Sequence, residues 1–268
     1  MRHIDLGGLS VFALTDCAPA PAPCGYSFPD AVLSDHPGAA VWFPDGAFRT
    51  RFGPFLLRGG DGDILVDCGM GPETAYFPGL SGTLPDELAR AGSSLAQVKT
   101  VIFTHLHVDH VGWAPHLPHA RFHVAAREWA HWSQGESAGL PHHTEAVARC
   151  IAPLAEAGRL HLARSGAEIL PGLVLLEAAG HTPGHHAVLA GNCLLIAGDI
   201  WHNPAQLAAP AWCHRADMDK PRAIATRTRI AQTAHRNAWL IAAGHFVEYA
   251  AFGRVTAASG AYAFSPTP

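Results

Sequence analysis

Thr104-His105-Leu106-His107-Val108-Asp109-His110 follows directly on the apolar run Val98–Phe103, which reads as a buried strand. Three imidazoles and a carboxylate fall within six positions at the end of that strand. In extended chain, side chains two apart point the same way, so His105 and His107 can grip one metal ion together. Asp109 and His110 lie where the chain must turn into its next element, and can face a second ion nearby. A lone histidine in an apolar setting is more often a satisfied core residue than a ligand. Four ligand-type side chains at one strand end are different. Buried without a metal, each polar group left unmet would cost about 1–3 kcal/mol.

Three further candidates occupy the same kind of place. His181 follows the apolar stretch Leu173–Gly180 and opens His181-Thr182-Pro183-Gly184-His185. Asp199 follows Leu194-Leu195-Ile196-Ala197-Gly198, and His245 follows Leu240-Ile241-Ala242-Ala243-Gly244. Each is weak alone. Together with the first cluster they give five histidines and two aspartates, enough for two ions with open coordination positions.

Composition agrees with a metal site in a folded chain. Of 268 residues 49% are apolar and only 15% charged, so a sizeable core can form. The 19 histidines outnumber the 18 lysines and arginines combined, and neutral imidazole is the commonest metal ligand. A net charge of −4 argues against a nucleic-acid partner held through phosphates. No stretch reaches the ~20 apolar residues that span a bilayer, so no membrane partner is expected. Met1-Arg2-His3-Ile4-Asp5 has no signal-peptide pattern, and the six cysteines lack CxxC spacing, several of them in apolar strand-like runs where a buried free thiol is the expectation. A reduced, cytoplasmic setting is the expectation.

Outward from the motif, residues 3–15 read as one strand, and the Pro- and Gly-rich stretch 18–54 as a loop without regular structure. So long a loop is usually functional, here as a pocket cover or a homodimer contact through Phe28, Trp42, Phe43 and Phe48. Phe55–Arg58 and Ile64–Val66 read as a hairpin, and Pro85–Ala91 as a helix. Ala125–Gly158 reads as helical, interrupted at Gly135–Pro141. Further strands are expected at Leu173–Glu177, Ala187–Leu189, Cys193–Ala197 and Trp239–Ala243. An amphipathic helix is expected over Pro221–His235, with Arg222, Arg229 and Arg236 on its surface. No repeat and no linker is visible, so the reading is one domain over 1–268, with 125–158 as a helical insert near the site.

His-x-His-x-Asp-His, then a distal His, Asp and His in that order, resembles the metallo-β-lactamase superfamily, and Val66-Asp67-Cys68-Gly69 is similar to its early Asp-x-Gly turn. The resemblance implies an α+β fold, an αββα four-layer sandwich in which two mixed β-sheets lie back to back with helices outside. Carried over by position, it implies that His105, His107 and His181 hold one divalent ion, that Asp109, His110 and His245 hold a second, and that Asp199 bridges them. The chemistry implied is a metal-bridging hydroxide that attacks a small-molecule ester or lactone, with Asp109 relaying the proton to the leaving group. A His/Asp donor set without thiolate suits zinc, and also manganese, cobalt or iron.

Within the superfamily, the flavin-linked di-iron oxygen reductases replace the second His of the first motif with Glu and carry a flavodoxin domain, neither of which is found here. Nucleic-acid-processing members add a further domain, true β-lactamases a secretion signal, and glyoxalase II-like thioesterases a C-terminal helical domain too long for Phe246–Pro268. Gly198-Asp199-Ile200-Trp201-His202 is similar to the Gly-Asp-x-x-His segment of the lactonase and organophosphorus-hydrolase branch, which includes quorum-quenching lactonases of the YtnP-like type. There is one departure. The best-studied acyl-homoserine lactonases carry a Tyr three positions after the bridging Asp, where this chain has His202. A neutral His202 can donate a hydrogen bond to the same substrate oxygen as a catalytic residue, or can simply pack behind the site. The reading is a lactonase or esterase, with phosphotriesters, aryl esters or the thioester of a biosynthetic intermediate as the alternative. Trp113, Trp129, Trp132, His142 and His143 are expected either to line the pocket or to pack the insert on the sandwich.

Overall fold

The computed structural model describes residues 1–60, 62–72, 79–134, 141–258 and 260–267. Two seven-stranded sheets dominate the described residues, and within each the strands are neighbours in chain order. The first runs through Arg2–Asp5, Ser10–Ala13, Phe55–Arg58, Asp63–Val66, Val98–Ile102, Arg121–Ala125 and Leu160–Ala163. The second runs through Glu168–Leu170, Leu173–Glu177, His186–Ala190, Leu194–Ile196, Leu240–Ala242, Phe252–Ala258 and Ala261–Pro266. Both are mixed. In the first, the last three pairings are parallel. In the second, only Leu194–Ile196 with Leu240–Ala242 is.

The layers follow from alternation of side chains along each strand. Val11, Ala13, Phe55, Leu57, Val66 and Ile102 meet Leu175, Val188, Leu194, Ile196, Ala242 and Phe252 between the sheets. Their neighbours point outward. Leu56, Leu65 and Val101 pack under Leu84, Leu88, Trp132 and Val147 from the helices Leu84–Arg90, Ala126–Ser133 and Pro141–Cys150. Leu195 and Ile241 pack under Ile230, Ala231 and Ala234 of the helix Lys220–Arg236. Helix, sheet, sheet, helix is the expected αββα sandwich.

Three local expectations need correcting. Residues 3–15 form two strands, because Gly7-Gly8 reverses the chain and Arg2–Asp5 pairs antiparallel with Ser10–Ala13. The 18–54 stretch is not devoid of regular structure. It holds the helical turns Cys24–Ser27 and Pro37–Ala40 and a two-residue ribbon, Ala22–Pro23 with Ala47–Phe48. Proline breaks long elements yet suits a first helical turn, as Pro37 shows. Phe28, Phe43 and Phe48, expected to be exposed, are buried against Ala205, Ala209 and Trp212. Of the cysteines, all free, Cys193 is exposed and the other five are buried. The 135–140 interruption lies outside the described residues. Among the described residues no helix is long and apolar enough to cross a membrane.

Candidate metal centre

Strand direction gathers the ligand-type side chains at one edge. Asp63–Val66 and Val98–Ile102 run parallel, so Asp67 and the His105–His110 motif emerge together. Leu194–Ile196 and Leu240–Ala242 run parallel, which brings Asp199 and His245 together. Leu173–Glu177 reaches Leu194–Ile196 through two antiparallel pairings, which restore its direction, so His181 emerges at the same end. The chain turns at once after His107 into the single helical turn Val108–Val111, which carries Asp109 and His110.

All seven side chains singled out by sequence converge. Donor atoms of His105, His107, His181 and Asp199 lie within 4.8 Å of one another, as do those of Asp109, His110 and His245. Asp199 stands between the groups. Its Oδ2 lies 3.1 Å from His181 Nε2, 3.0 Å from His245 Nε2 and 3.7 Å from His105 Nε2. Its Oδ1 lies 3.3 Å from His110 Nε2. Asp109 Oδ2 is 3.6 Å from both His110 Nε2 and His245 Nε2. His202 joins them, with Nε2 3.2 Å from Asp199 Oδ2 and its ring stacked on those of His245 and His214.

Three of the imidazoles are aimed from behind. His110 donates from Nδ1 to Asp67 Oδ2 at 2.8 Å, and Asp67 also accepts from the backbone and hydroxyl of Thr104, both at 2.8 Å. His181 Nδ1 donates to Asp217 at 2.9 Å, and Asp217 is paired in turn with the buried Arg227 at 2.7 Å. His245 Nδ1 donates to the carbonyl of Arg51 at 3.0 Å. The Arg51 guanidinium, pulled down to about 10 mainly by burial, donates to the carbonyls of Leu14, Ala243 and Phe246 and so fixes the His245 loop. Asp67, Asp217, Arg227 and Arg51 were not assigned roles from sequence. A signal existed for Arg227, which occupies the apolar stripe of Ala223, Ile230 and Ala234 at helical spacing.

Burial favours the neutral imidazole throughout. At His105 and His107 it prevails, reinforced chiefly by His110 and His143 respectively, and both stand well below the ordinary value. At His110 burial is outweighed by Asp199, Asp67 and Asp109, and at His245 by Asp199 and Asp109, so both are raised. His181 is raised to about 9 against its burial, by Asp199 and Asp217. Burial would lift Asp199, but His245, His110, His105 and His181 hold it well below the usual carboxylate range. The centre is thus shaped around positive charge. Nε2 of His105, Nε2 of His110 and Oδ1 of Asp199 are buried without a hydrogen bond, donor atoms left for something other than protein. The residues fit divalent cations, which would supply the charge and let the imidazoles coordinate as neutral ligands.

The aromatics of the helical stretch divide. Trp132 and His143 flank His107, with ring centroids 5.4 and 3.7 Å from it, and the His142 ring lies tilted against that of His143. Trp113 lies instead in the core beneath the first sheet and donates to Asp16 at 2.8 Å. The turn before it needs Gly112, because a Cβ there would fall 1.9 Å from Met70 O, against the turn that carries Asp67. Gly112→Ala is expected to cost about 3 kcal/mol or more, as a lowered midpoint in chemical denaturation.

An αββα sandwich with a buried His/Asp centre at one sheet edge defines a metal-binding class of protein. Comparison makes the class specific: the metallo-beta-lactamase superfamily model matches residues 54–245, and the chain belongs to that superfamily. It is 27% identical over 191 residues to a probable metallo-hydrolase of Mycobacterium tuberculosis, covering 61% of this chain and 57% of that protein. It is 29% identical over 151 residues to an N-acyl homoserine lactonase of a Bacillus species, covering 50% of this chain and 56% of the lactonase. The chain therefore spans rather more than half the length of these curated relatives. Among solved structures, the hydrolase AbOPH of the beta lactamase superfamily superposes with a TM-score of 0.87 at 24% identity, over 100% of this chain and 97% of that one. AidC, a dizinc quorum-quenching lactonase in complex with a product, superposes with a TM-score of 0.82 at 20% identity, again over 100% and 97%. At those identities the likeness concerns the fold.

Proposed function

We propose that the protein is a metal-dependent hydrolase that opens a lactone or cleaves a carboxylic ester. The observation that carries this reading is the convergence of seven His and Asp side chains into two donor groups that share Asp199. His105, His107 and His181 are assigned to one ion, Asp109, His110 and His245 to the other, and Asp199 to both. Zinc is the proposed metal, because imidazoles dominate the donor set, and manganese, cobalt or iron would fit the same residues. When bound, a pair of such ions supplies Lewis acidity toward the substrate oxygen and brings water ionisation near neutral pH.

The chain's own residues do the rest. Asp109 is the ligand side chain most open to solvent, at 14% against 7% or less for His105, His110, His181, Asp199 and His245. Its carboxylate can take a proton from the attacking water and return it to the leaving oxygen. His202 is held by its own N–H on Gln206 Oε1 at 2.7 Å and by stacking between His214 and His245. Its Nε2 faces Asp199 Oδ2 at 3.2 Å, and with Asp199 engaged by metal that N–H is released to donate to the substrate carbonyl. Lactonases among the relatives support the ester class, and pocket shape alone separates lactones from phosphotriesters or thioesters.

Initial rates on a γ-lactone, an aryl ester, a phosphotriester and a thioester test this reading. Lactone or ester should lead, and no turnover of any of them by metal-loaded protein would sink it. His202→Phe keeps the ring and removes the donor, so kcat/KM should fall about 10- to 100-fold with metal content unchanged. Unchanged turnover would remove His202 from the chemistry, and loss of metal would put it among the ligands.

A further inference from the structure

Glu128 lies in the first turn of the helix Ala126–Ser133 and is fully buried. It forms no ion pair among the described residues. A carboxylate at that depth is costly unless its lone pairs are met. Four neutral donors meet them. Oε1 accepts from Leu106 N at 3.0 Å and from Trp132 Nε1 at 2.7 Å. Oε2 accepts from Thr182 Oγ1 at 2.7 Å and from Gly184 N at 3.1 Å.

The division between the two oxygens follows the division of the site. Leu106 sits between His105 and His107, on the loop that leaves the first sheet. Thr182 and Gly184 follow His181, on the loop that leaves the second. One side chain therefore ties together two loops that arrive from different sheets. Gly184 shows how close the tie is: a Cβ there would fall 2.2 Å from Glu128 N, so only a glycine lets the loop lie directly on the helix turn.

We propose that Glu128 is the positioning residue of the first metal site. Its two oxygens set the separation of the His105–His107 loop and the His181 loop, so that three imidazoles bear on one ion. The inference rests on the assignment of those three residues to one ion. Glu128 touches neither metal nor substrate and acts through the backbone on either side. In Glu128→Gln one oxygen becomes an NH2 group: on the Leu106 side it faces two groups that can only donate, and on the Thr182 side the hydroxyl can turn to accept but Gly184 N loses its acceptor, so either way one loop loses a backbone tie.

Cobalt(II) titration of chelator-stripped protein, followed by visible absorption, tests this, with circular dichroism and thermal melting run alongside. Wild-type protein should take up two equivalents. Folded Glu128→Gln should bind one as wild type does and the other about 10- to 100-fold more weakly. Wild-type affinity for both in that variant would overturn the proposal. If Glu128→Gln does not fold, Thr182→Val decides, since it deletes a single hydrogen bond to Oε2. Weaker binding of one equivalent at an unchanged melting midpoint supports the role, and unchanged binding overturns it. A wild-type chain that takes up no cobalt would overturn the metal assignment beneath the inference, which is a different failure.

Discussion

Asp199→Asn should abolish turnover while leaving the sandwich folded. Asp199 is, among the described residues, the side chain whose two oxygens face both donor groups, with four imidazole nitrogens 3.0 to 3.3 Å away and that of His105 at 3.7 Å. An amide of the same shape removes the negative charge, puts a donor where an acceptor was, and leaves the imidazoles without a counter-charge. On the proposed assignment both ions would lose a shared ligand, so the defect would be one of charge and coordination rather than packing. The apolar cluster between the sheets is built from other residues, so circular dichroism should be unchanged. A fall in kcat/KM of at least about 1,000-fold, roughly 4 kcal/mol, is expected in steady-state assays. His107→Ala and Asp109→Asn should behave alike, and near-normal activity in both would rule out the mechanism.

Chelation should have the second largest effect, on activity and on stability together. A ligand that binds the native state alone adds about 4 kcal/mol when present at 1,000 times its dissociation constant. For a chain of this size that is on the order of 10 °C in melting temperature per tightly held ion. Stripping the protein with a strong chelator should therefore stop turnover and lower the thermal midpoint by at least that much. Adding back zinc should restore both. The physical reason lies in the centre itself: Asp199 is buried among imidazoles, and without cations its charge has to be met by protonating those rings.

The site was more legible in the sequence than the frame that holds it. The four strands that lead to its candidate ligands are short apolar runs, and three of them are followed by small residues and a glycine just before a His or Asp, a pattern that needs no long-range information. Direction was harder, since nothing local says that Leu173–Glu177 and Leu194–Ile196 run the same way. Strands of weak local character were missed. Phe252–Ala258 and Ala261–Pro266 are rich in Ala, Gly and Ser, and only pairing with each other and with Leu240–Ala242 makes them strands. Arg121–Ala125 and Leu160–Ala163 were hidden because they bracket the helical stretch. The pairings behind the candidate ligands were hidden for a related reason, although Asp67 itself stood out in its Asp-x-Gly turn. Asp67 pairs with His110 across 43 positions, and Asp217 with His181 across 36. Neither distance leaves a mark in local spacing. In the 18–54 segment the aromatics were visible and their partners were not, so burial against Ala205 and Trp212 read as exposure.

Metal content per folded chain tests the central assignment most directly. Elemental analysis of protein equilibrated with zinc and freed of excess should find two equivalents in wild type and fewer in Asp199→Asn. A correctly folded wild-type chain that retains no divalent metal would contradict it.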